Sequence, residues 1–387
     1  MKRLQVLFLV ALSSSLLLFG CGKKEEETAT QPIVEPIVEA QPQEEEETES
    51  TDEAEGEEDP DTPPAEGMVK SRLTNEWIDE EVAKTRPVAI MVPNSKTASQ
   101  YGLSEASVLY ECNVEGSMTR LMGVWENWKD LEKVGNIRSC RDYYLYWAFE
   151  WDAIYIHYGG PFYIDDLVGR DDTQNINCID YSKVSYRDTA KNSTDNAFTD
   201  GSLISEAISH YGYPTEYREG YSDETHYQFA TNAEPNTLEQ YSDAITAEKI
   251  DMSPAYPVTN CYFIYNEETG LYDRYQHLSG DSDGPHIDLA NNKQLSFKNI
   301  LVQNTYFEVR DQKGYLSFQC HDTTRDGWFF TNGKGIHVNW EKTSDYGATR
   351  YYDDDGNEIK LNTGKTMVCI LEDGDTFNVD DKSIESN

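Results

Sequence analysis

Six of the charged or titratable side chains in residues 108–161 are of interest, because they fall within strongly apolar and aromatic elements. They are Glu111, Glu115, Arg120, Arg138, Arg141 and His157. Charged groups inside apolar elements need partners, because burial removes their hydration. Carboxylates, guanidinium groups and imidazole are also the groups that bind small polar ligands and transfer protons. We therefore take these six as candidate ligand-binding residues.

The first two candidates to be paired are Glu111 and Arg120, which flank the dipeptide Glu115-Gly116. If that dipeptide is a two-residue hairpin turn, Glu111 lies directly across from Arg120 on an apolar face. Such a pair is either a structural ion pair or the floor of a site. A loop of three or five residues would shift the register and separate the two side chains.

Arg138 and Arg141 flank a predicted helix start, for which Ser139 is the N-cap and Asp142 is at capping-box distance. Guanidinium groups beside free backbone N–H groups at a helix N-terminus favour binding of carboxylate or phosphate. The alternative is that both arginines pair with the many carboxylates nearby.

His157 ends a predicted strand and is followed by Tyr158-Gly159-Gly160-Pro161. Ligands often bind at the ends of strands in α/β folds, so His157 is a candidate site residue. The alternative is a core histidine whose ring nitrogens are satisfied internally.

Sequence motifs of familiar enzyme families are missing: no HExxH, GxSxG, Walker loop or Rossmann glycine pattern occurs. The seven histidines are scattered without metal-ligand spacing. Two acidic turns, residues 281–288 and 353–358, offer oxygen ligands for Ca²⁺, but their glycines fall too early for an EF-hand and solvated loops are the simpler interpretation. We predict no metal and no cofactor.

The formal net charge is -39, and the folded part stays acidic after the N-terminal acidic run is set aside. A broadly negative surface repels polyanions, so we predict no nucleic-acid partner. A local basic pocket remains compatible with this charge.

The N-terminus predicts an exported, lipid-anchored protein. Residues 1–20 read as a signal peptide, with Lys2 and Arg3 before an apolar run. The run Leu17–Cys21 resembles a bacterial lipobox, which predicts lipidation of Cys21; a plain cleaved signal is the alternative. The following residues, to about 70, are rich in Glu, Pro and Thr and predict a disordered acidic tether.

We predict an α+β fold with an N-terminal α/β domain, residues 71–249, and a mostly β C-terminal domain, residues 250–387. In the first domain the patterns predict strands and helices in the order β-α-β-β-α-β, as in a ferredoxin-like core. These elements are Val88–Val92, Lys96–Ala106, Ser107–Val114, Met118–Trp125, Arg141–Trp151 and Ala153–Tyr158. Further helices are predicted at Phe162–Gly169, Leu203–Tyr211 and Thr237–Lys249.

Short β-like runs separated by turn signals make up the C-terminal region, from Cys261–Tyr265 to Met367–Leu371. Six cysteines remain after Cys21 is set aside, and an even count in an exported chain permits three disulfides. No two of them are close in sequence, and a chain of this size does not need disulfides to be stable. Free buried thiols are therefore favoured.

Several spaced blocks resemble the YerB-like lipoproteins of Gram-positive bacteria. The blocks are Arg86–Val92 with Asn94, Gly102–Ala106, Tyr110-Glu111, Glu115-Gly116 with Thr119-Arg120, Gly135–Arg141, His157–Gly160, Tyr272–Arg274, His286–Asp288, Asn299–Val302, Gly327-Trp328 and Asp355–Asn357 before Gly364. The resemblance implies an exported protein with an N-terminal domain of unknown function and a smaller C-terminal domain. One block departs from the family: Asp195-Asn196 stands where a histidine-asparagine pair is usual.

Together these observations predict a lipoprotein on the outer face of the cytoplasmic membrane. Its predicted partners are the membrane, through the lipid anchor, and a small anionic or sugar-like cell-envelope ligand or an envelope protein. A second hypothesis is an envelope hydrolase that uses Glu111 or Glu115 with His157 as acid and base. A third is a non-catalytic network of arginines and carboxylates.

Overall fold

The computed structural model describes residues 59–191, 195–221, 226–277 and 282–385. The predicted signal peptide, Cys21 and most of the predicted tether lie outside the described residues. None of the helices in the described ranges is long and apolar enough to cross a membrane.

The described chain is mostly β. Its strands are β1 Met68–Lys70, β2 Trp77–Asp79, β3 Val88–Asn94, β4 Val108–Asn113, β5 Thr119–Trp125, β6 Val134–Gly135, β7 Ile154–His157, β8 Asn175–Asn177, β9 Tyr186–Arg187, β10 Ala197–Thr199, β11 Ile245–Thr246, β12 Lys249–Asp251, β13 Tyr262–Asn266, β14 Leu271–His277, β15 Asp283–Pro285, β16 Ser296–Phe297, β17 Asn299–Thr305, β18 Phe307–Val309, β19 Leu316–Phe318, β20 Asp322–Thr331, β21 Lys334–Lys342, β22 Arg350–Tyr352, β23 Thr366–Glu372, β24 Thr376–Val379 and β25 Lys382–Glu385. The α-helices are α1 Glu80–Lys84, α2 Asp142–Phe149, α3 Asp165–Val168 and α4 Gly201–Tyr211. Short 3-10 turns occupy Leu103–Glu105, Glu115–Ser117, Trp128–Asp130, Phe162–Ile164 and Ser182–Val184.

One sheet of eleven strands runs through both predicted regions. Its order is β11-β21-β20-β17-β23-β4-β5-β3-β7-β8, with β22 paired to β21. The two regions meet where β23 runs parallel to β4, with Thr366 beside Val108 and Ile370 beside Cys112. Every residue of β4 is buried, as expected for a strand covered on both faces. The C-terminal region therefore completes the sheet that the N-terminal region begins.

Two cores lie on opposite faces of this sheet. On one face a seven-stranded sheet, β15-β14-β13-β12-β24-β25 with β16 on β14, packs Phe263 and Tyr272 towards Leu109 and Leu121. On the other face α2 contributes Tyr144 and Trp147 to a cluster with Tyr110 and Met122. Because side chains alternate along β4, Leu109 enters one core and Tyr110 the other.

The fold class is confirmed as α+β, with an α/β N-terminal region and a β-rich C-terminal region. The ferredoxin-like core is not confirmed. The spatial order β4-β5-β3-β7 matches that pattern, but β7 runs parallel to β3, its neighbour, where the ferredoxin-like sheet is antiparallel throughout. The predicted helix Lys96–Ala106 is also reduced to the single turn Leu103–Glu105, preceded by Gly102 at φ 80°.

The helix predictions succeed where local capping is strong. Helix α4 begins after Asp200, whose carboxylate accepts a hydrogen bond from Leu203 N, and ends at Gly212 in the left-handed region. Helix α2 starts at Asp142, and Ser139 is not its N-cap. The predicted helix Thr237–Lys249 is wrong, because Leu238 has φ 57°, which a right-handed helix cannot accommodate.

The structure describes folded residues upstream of the predicted boundary at residue 71. Strand β1 pairs with β2, so that Val69 lies opposite Ile78. Further upstream, the Asp61 carboxylate accepts hydrogen bonds from the backbone of Asn232 and Ala233 at 3.1 Å each. Residues 59–70 therefore belong to the folded unit and not to the predicted tether.

Candidate functional site

The predicted pairing of Glu111 with Arg120 is wrong. In the β4–β5 hairpin Glu111 lies opposite Leu121, and Arg120 lies opposite Cys112. The last ladder pair is Asn113 with Thr119, so the loop is the five residues 114–118. A loop of this length moves the register by one residue from the predicted one, which places the two charges on opposite faces of the sheet.

Glu111 instead joins the two sheets through a buried ion pair. Its Oε2 lies 2.7 Å from Arg274 Nη2 on β14, and both side chains are fully buried. Asn94 Nδ2 and Thr119 Oγ1 donate to its Oε1 at 2.6 and 2.7 Å. Both oxygens of this carboxylate therefore have hydrogen-bond donors inside the core, which is the arrangement of a structural ion pair.

Glu115, Arg120 and Arg141 do come together, at the other face. Arg141 donates from Nε to Glu115 Oε2 at 3.0 Å and its Nη2 contacts Oε1, while Arg120 Nη2 lies 3.9 Å from Oε1. Burial lowers the pKa of Arg120, to about 10, and the neighbouring Arg141 adds to this effect. Glu115 is thus a carboxylate shared by two arginines that are almost fully buried.

Arg138 lies on the segment before α2, and His157 is the last residue of β7. The backbone N–H of Arg138 donates to Met91 O, and its carbonyl accepts from Tyr158 N. His157 is buried, with Nδ1 2.9 Å from Gly159 O and Nε2 3.1 Å from Asn175 Oδ1. Each ring nitrogen thus has an oxygen within hydrogen-bond distance, and burial lowers the pKa of this imidazole. A ligand-binding role for the six candidates stays a prediction.

A second histidine, His226, has a different environment. Its ring stacks on Trp151 with a centroid distance of 3.6 Å and an interplanar angle of 12°. Its Nε2 lies 3.6 Å from Glu150 Oε1, which is too long for a good hydrogen bond. Although His226 is 94% buried, neither ring nitrogen has a hydrogen-bond partner among the described residues. Buried polar atoms rarely stay unpaired, so this site requires an explanation.

Glu150 is held in place by groups from three parts of the chain. Tyr110 Oη donates to its Oε1 at 2.5 Å, and Trp151 Nε1 donates to Tyr110 Oη at 2.8 Å. Its Oε2 accepts from Lys342 Nζ at 3.3 Å, and from Thr349 N and Oγ1 at 3.0 and 2.6 Å. The position of Glu150 just after α2, whose last residue is Phe149, brings these partners together.

The charge states of this pair follow from its surroundings. Burial raises the pKa of Glu150, but Lys342, His226 and Thr349 outweigh burial and bring that pKa to about 2. Burial lowers the pKa of His226, and Glu150 only partly offsets this effect. At neutral pH the pair is therefore a carboxylate beside a neutral imidazole, a combination that can accept a proton.

His226 lines a small cavity of about 30 Å³ with Arg72, Glu150, Trp151, Tyr217, Tyr221, Tyr346 and Ala348, which we call the His226 cavity. This volume is sufficient for a water molecule. Arg72 and Tyr217 also line an adjoining groove of about 640 Å³ beside α1, together with Val69, Lys70, Glu80, Ala83, Lys84 and Glu216, which we call the α1 groove. The His226 cavity and the α1 groove thus share Arg72 and Tyr217 in their linings.

The remaining sequence hypotheses concern acidic turns and cysteines. Asp288 accepts from Gly102 N and Ser104 N at 2.8 Å each, and Asp353 accepts from Asn357 N at 2.8 Å. Asp281 lies outside the described residues. Within the described ranges no three His, Cys, Asp or Glu side chains cluster as metal ligands do. The six cysteines of the described chain are free and buried.

Comparison with known families identifies the family to which the chain belongs. The model for "Protein of unknown function (DUF3048) N-terminal domain" matches residues 73–214, and the model for the corresponding C-terminal domain matches residues 251–368. The chain belongs to the DUF3048 family. This family assignment confirms the resemblance to YerB-like proteins that the spaced sequence blocks indicate.

A relative named "Putative lipoprotein YerB", from Bacillus subtilis (strain 168), is 24% identical over 321 residues, covering 80% of this chain and 88% of YerB. The crystal structure of Bacillus subtilis YerB superimposes with a TM-score of 0.65 at 23% identity, over 78% of this chain and 96% of that chain. This similarity shows the fold. The DUF3048 family is described as one of unknown function, so membership assigns no activity to this chain.

His226 lies between the two segments that the DUF3048 models match. Glu150 and Trp151 lie inside the N-terminal segment, at the end of a helix that the sequence predicts. Nothing in the spacing of Glu150 and His226, 76 residues apart in the chain, indicates that they meet. The run Glu150-Trp151-Asp152, which places two carboxylates directly after an aromatic helix, is the available signal.

Proposed function

We propose that this protein is an extracytoplasmic lipoprotein, lipidated at Cys21 and anchored to the outer face of the cytoplasmic membrane, that binds a small anionic, sugar-like cell-envelope ligand. Three observations support this location: the signal-like residues 1–20, the lipobox-like run Leu17–Cys21 and the name of the Bacillus subtilis relative. The binding site that we propose is the α1 groove together with the His226 cavity.

The observation that carries this proposal is that a groove lined by three cations and two carboxylates shares Arg72 and Tyr217 with an aromatic cavity. Lys70, Arg72 and Lys84 line the groove in a chain whose net charge is -39. Arg72 lies at the junction, where its guanidinium is 4.8 Å from the Tyr217 ring centroid and donates to Tyr221 O at 2.8 Å. Ligand sites commonly combine aromatic walls with a few placed polar groups in this way.

The cations of the groove already have acidic neighbours. Lys84 Nζ lies 3.0 Å from Glu80, and Lys70 Nζ lies 3.5 Å from Asp61. These pairs are partly exposed, and exposed ion pairs contribute only about 0–1 kcal/mol. An anionic ligand can therefore exchange for them at little cost, while the aromatic residues pack against its apolar faces.

The test is calorimetric titration of the full-length lipoprotein in detergent with soluble cell-wall sugars that carry a carboxylate or phosphate, and with neutral sugars of the same size. We expect binding of the anionic sugars and at least tenfold weaker binding by Arg72→Gln, because one charge-assisted hydrogen bond is worth about 1.5–3 kcal/mol. Lys382→Gln, an exposed position on β25, is the matched control.

Two outcomes contradict this function. If wild type binds none of the anionic sugars, the proposal is wrong. It is also wrong if Arg72→Gln and Lys382→Gln weaken binding equally, because then only the overall charge matters. If the protein binds an envelope protein and no sugar displaces it, the alternative of an envelope-protein partner is favoured instead.

A second candidate function is hydrolysis of an envelope substrate, with His226 as general base and Glu150 as the group that orients and stabilises it. The observation that favours it is that both buried ring nitrogens lack a hydrogen-bond partner among the residues that the structure describes, beside a cavity that accommodates a water molecule. Mass spectrometry of cell-wall fragments incubated with wild type or His226→Gln tests it. Turnover by wild type alone supports catalysis, and equal absence of turnover removes it.

A further inference from the structure

A separate cleft lies where the β4–β5 loop meets the C-terminal strands β18, β19 and β23. Its volume is about 330 Å³, within the usual range of ligand pockets. Among its lining residues are Asn113, Phe307, Val309, Leu316, Glu372 and Asp375, and we call it the Asn113 cleft. It shares no lining residue with the α1 groove or the His226 cavity.

Asn113 is 95% buried, and its amide oxygen Oδ1 receives no hydrogen bond from the described residues. Its Nδ2 donates to Glu372 Oε1 at 3.1 Å and to Ala255 O at 3.3 Å. Because both of these partners are acceptors, the amide orientation is fixed, and Oδ1 is the atom left over. That oxygen is buried and has no hydrogen-bond partner within the described chain.

Two carboxyl groups stand beside this amide. Asp375 Oδ2 accepts from the backbone N–H of Glu372 at 3.1 Å, which places the two acidic residues at the same turn. Burial raises the pKa of Glu372, to about 7, and the adjacent Asp375 adds to this effect. Burial also raises the pKa of Asp375, to about 6. For both carboxyl groups burial thus outweighs the hydrogen bonds that favour the charged form.

These carboxyl groups differ from the other buried acids of the protein. Glu111 is paired with Arg274, and Glu150 is paired with Lys342. For Glu372 and Asp375, the described residues supply no cation that lowers either pKa. A positive charge in the Asn113 cleft would relieve a repulsion that the fold leaves uncompensated.

The cleft also has accessible apolar surface. Phe307 and Leu316 contribute side-chain surface, and Val309 is 62% exposed. A ligand that fits both features carries its charge at the end of a hydrocarbon stem. A primary ammonium group has three N–H donors, which match two carboxylates and one amide oxygen.

We propose that the Asn113 cleft binds a primary alkylammonium group, whose nitrogen is held by Glu372, Asp375 and Asn113 and whose stem packs on Phe307 and Leu316. The group belongs either to a free amine or to a lysine side chain of another polypeptide. This inference is independent of the function proposed above, because it concerns a different cleft.

The experiment is calorimetric titration of the full-length protein in detergent at pH 8, where both carboxyl groups are ionised, with three probes. They are 1,5-diaminopentane, a lysine blocked at both backbone ends, and 1-pentanol as the uncharged analogue. We expect at least one amine to bind and pentanol to bind at least tenfold more weakly. Binding of only the blocked lysine indicates a polypeptide source, and binding of only the diamine indicates a free amine.

The variants separate this site from general charge attraction. We expect Glu372→Gln and Asn113→Ala each to weaken amine binding at least tenfold, whereas Glu268→Gln, an exposed change of the same charge, leaves it unaltered. Circular dichroism reports whether each variant is folded, and Asp375→Asn replaces any that is not. Absence of amine binding by wild type, equal binding of pentanol, or equal loss in Glu268→Gln overturns the proposal.

Discussion

Removing one partner of the buried pair between Glu111 and Arg274 should cost more stability than removing one partner of a surface ion pair of this protein. The two residues belong to different sheets, β4 and β14, and both are fully buried with Oε2 and Nη2 2.7 Å apart. Glu111→Gln leaves the Arg274 guanidinium buried without its counter-charge. Removing one partner of such a pair costs about 3–5 kcal/mol.

That cost is a large share of the total, since domains are stable by only about 5–15 kcal/mol. Arg274→Met should also lower the free energy of unfolding, because it leaves the Glu111 carboxylate buried without its counter-charge. The double variant removes both charges together. We therefore expect its loss of stability to be smaller than the sum of the single losses by about 2–3 kcal/mol.

Urea denaturation followed by fluorescence of the seven tryptophans measures the free energy of unfolding of all four proteins. The matched control is the half-exposed pair of Arg350 and Glu358, at 2.7 Å, for which the same cycle should give about 0.2–1 kcal/mol. Single variants that lose less than about 1 kcal/mol, or a double variant that equals the sum, would refute this account of the sheet-to-sheet contact.

Three further predictions concern other buried groups. Burial raises the pKa of Glu126 to about 7, so the folded state holds this proton above the pH at which the unfolded chain releases it. Wild type should therefore lose stability relative to Glu126→Gln by about 2–3 kcal/mol as the pH rises from 4.5 to 8, by urea denaturation; a constant difference would contradict this. Glu115→Ala leaves Arg141 without its two-point partner and should cost about 1–3 kcal/mol, seen as a lower urea midpoint, while no change would show that other groups satisfy Arg141. The six buried cysteines should react with a thiol reagent only in denaturant, and prompt reaction of the native protein would show that some are accessible.

Local signals in the sequence determine those elements whose stability is local. Helix α4 is predicted because Asp200 caps its first turn and Gly212 adopts the left-handed conformation that ends it. The strands β3, β4 and β5 are predicted because their apolar runs are long enough to be recognised without partners. The spaced motif blocks likewise indicate the family, since each block can be read along the chain.

The partners of the charged residues, by contrast, are decided only by the tertiary structure. Glu111 meets Arg274 across 163 residues because a five-residue loop sets the register of β4 and β5 and a second sheet covers the face on which Glu111 then lies. His226 meets Glu150 because the chain after α4 returns to the end of α2. Hydrophobic pattern predicts which faces are buried, but a single residue of register decides which charge lies on which face, and that depends on turn geometry and long-range packing.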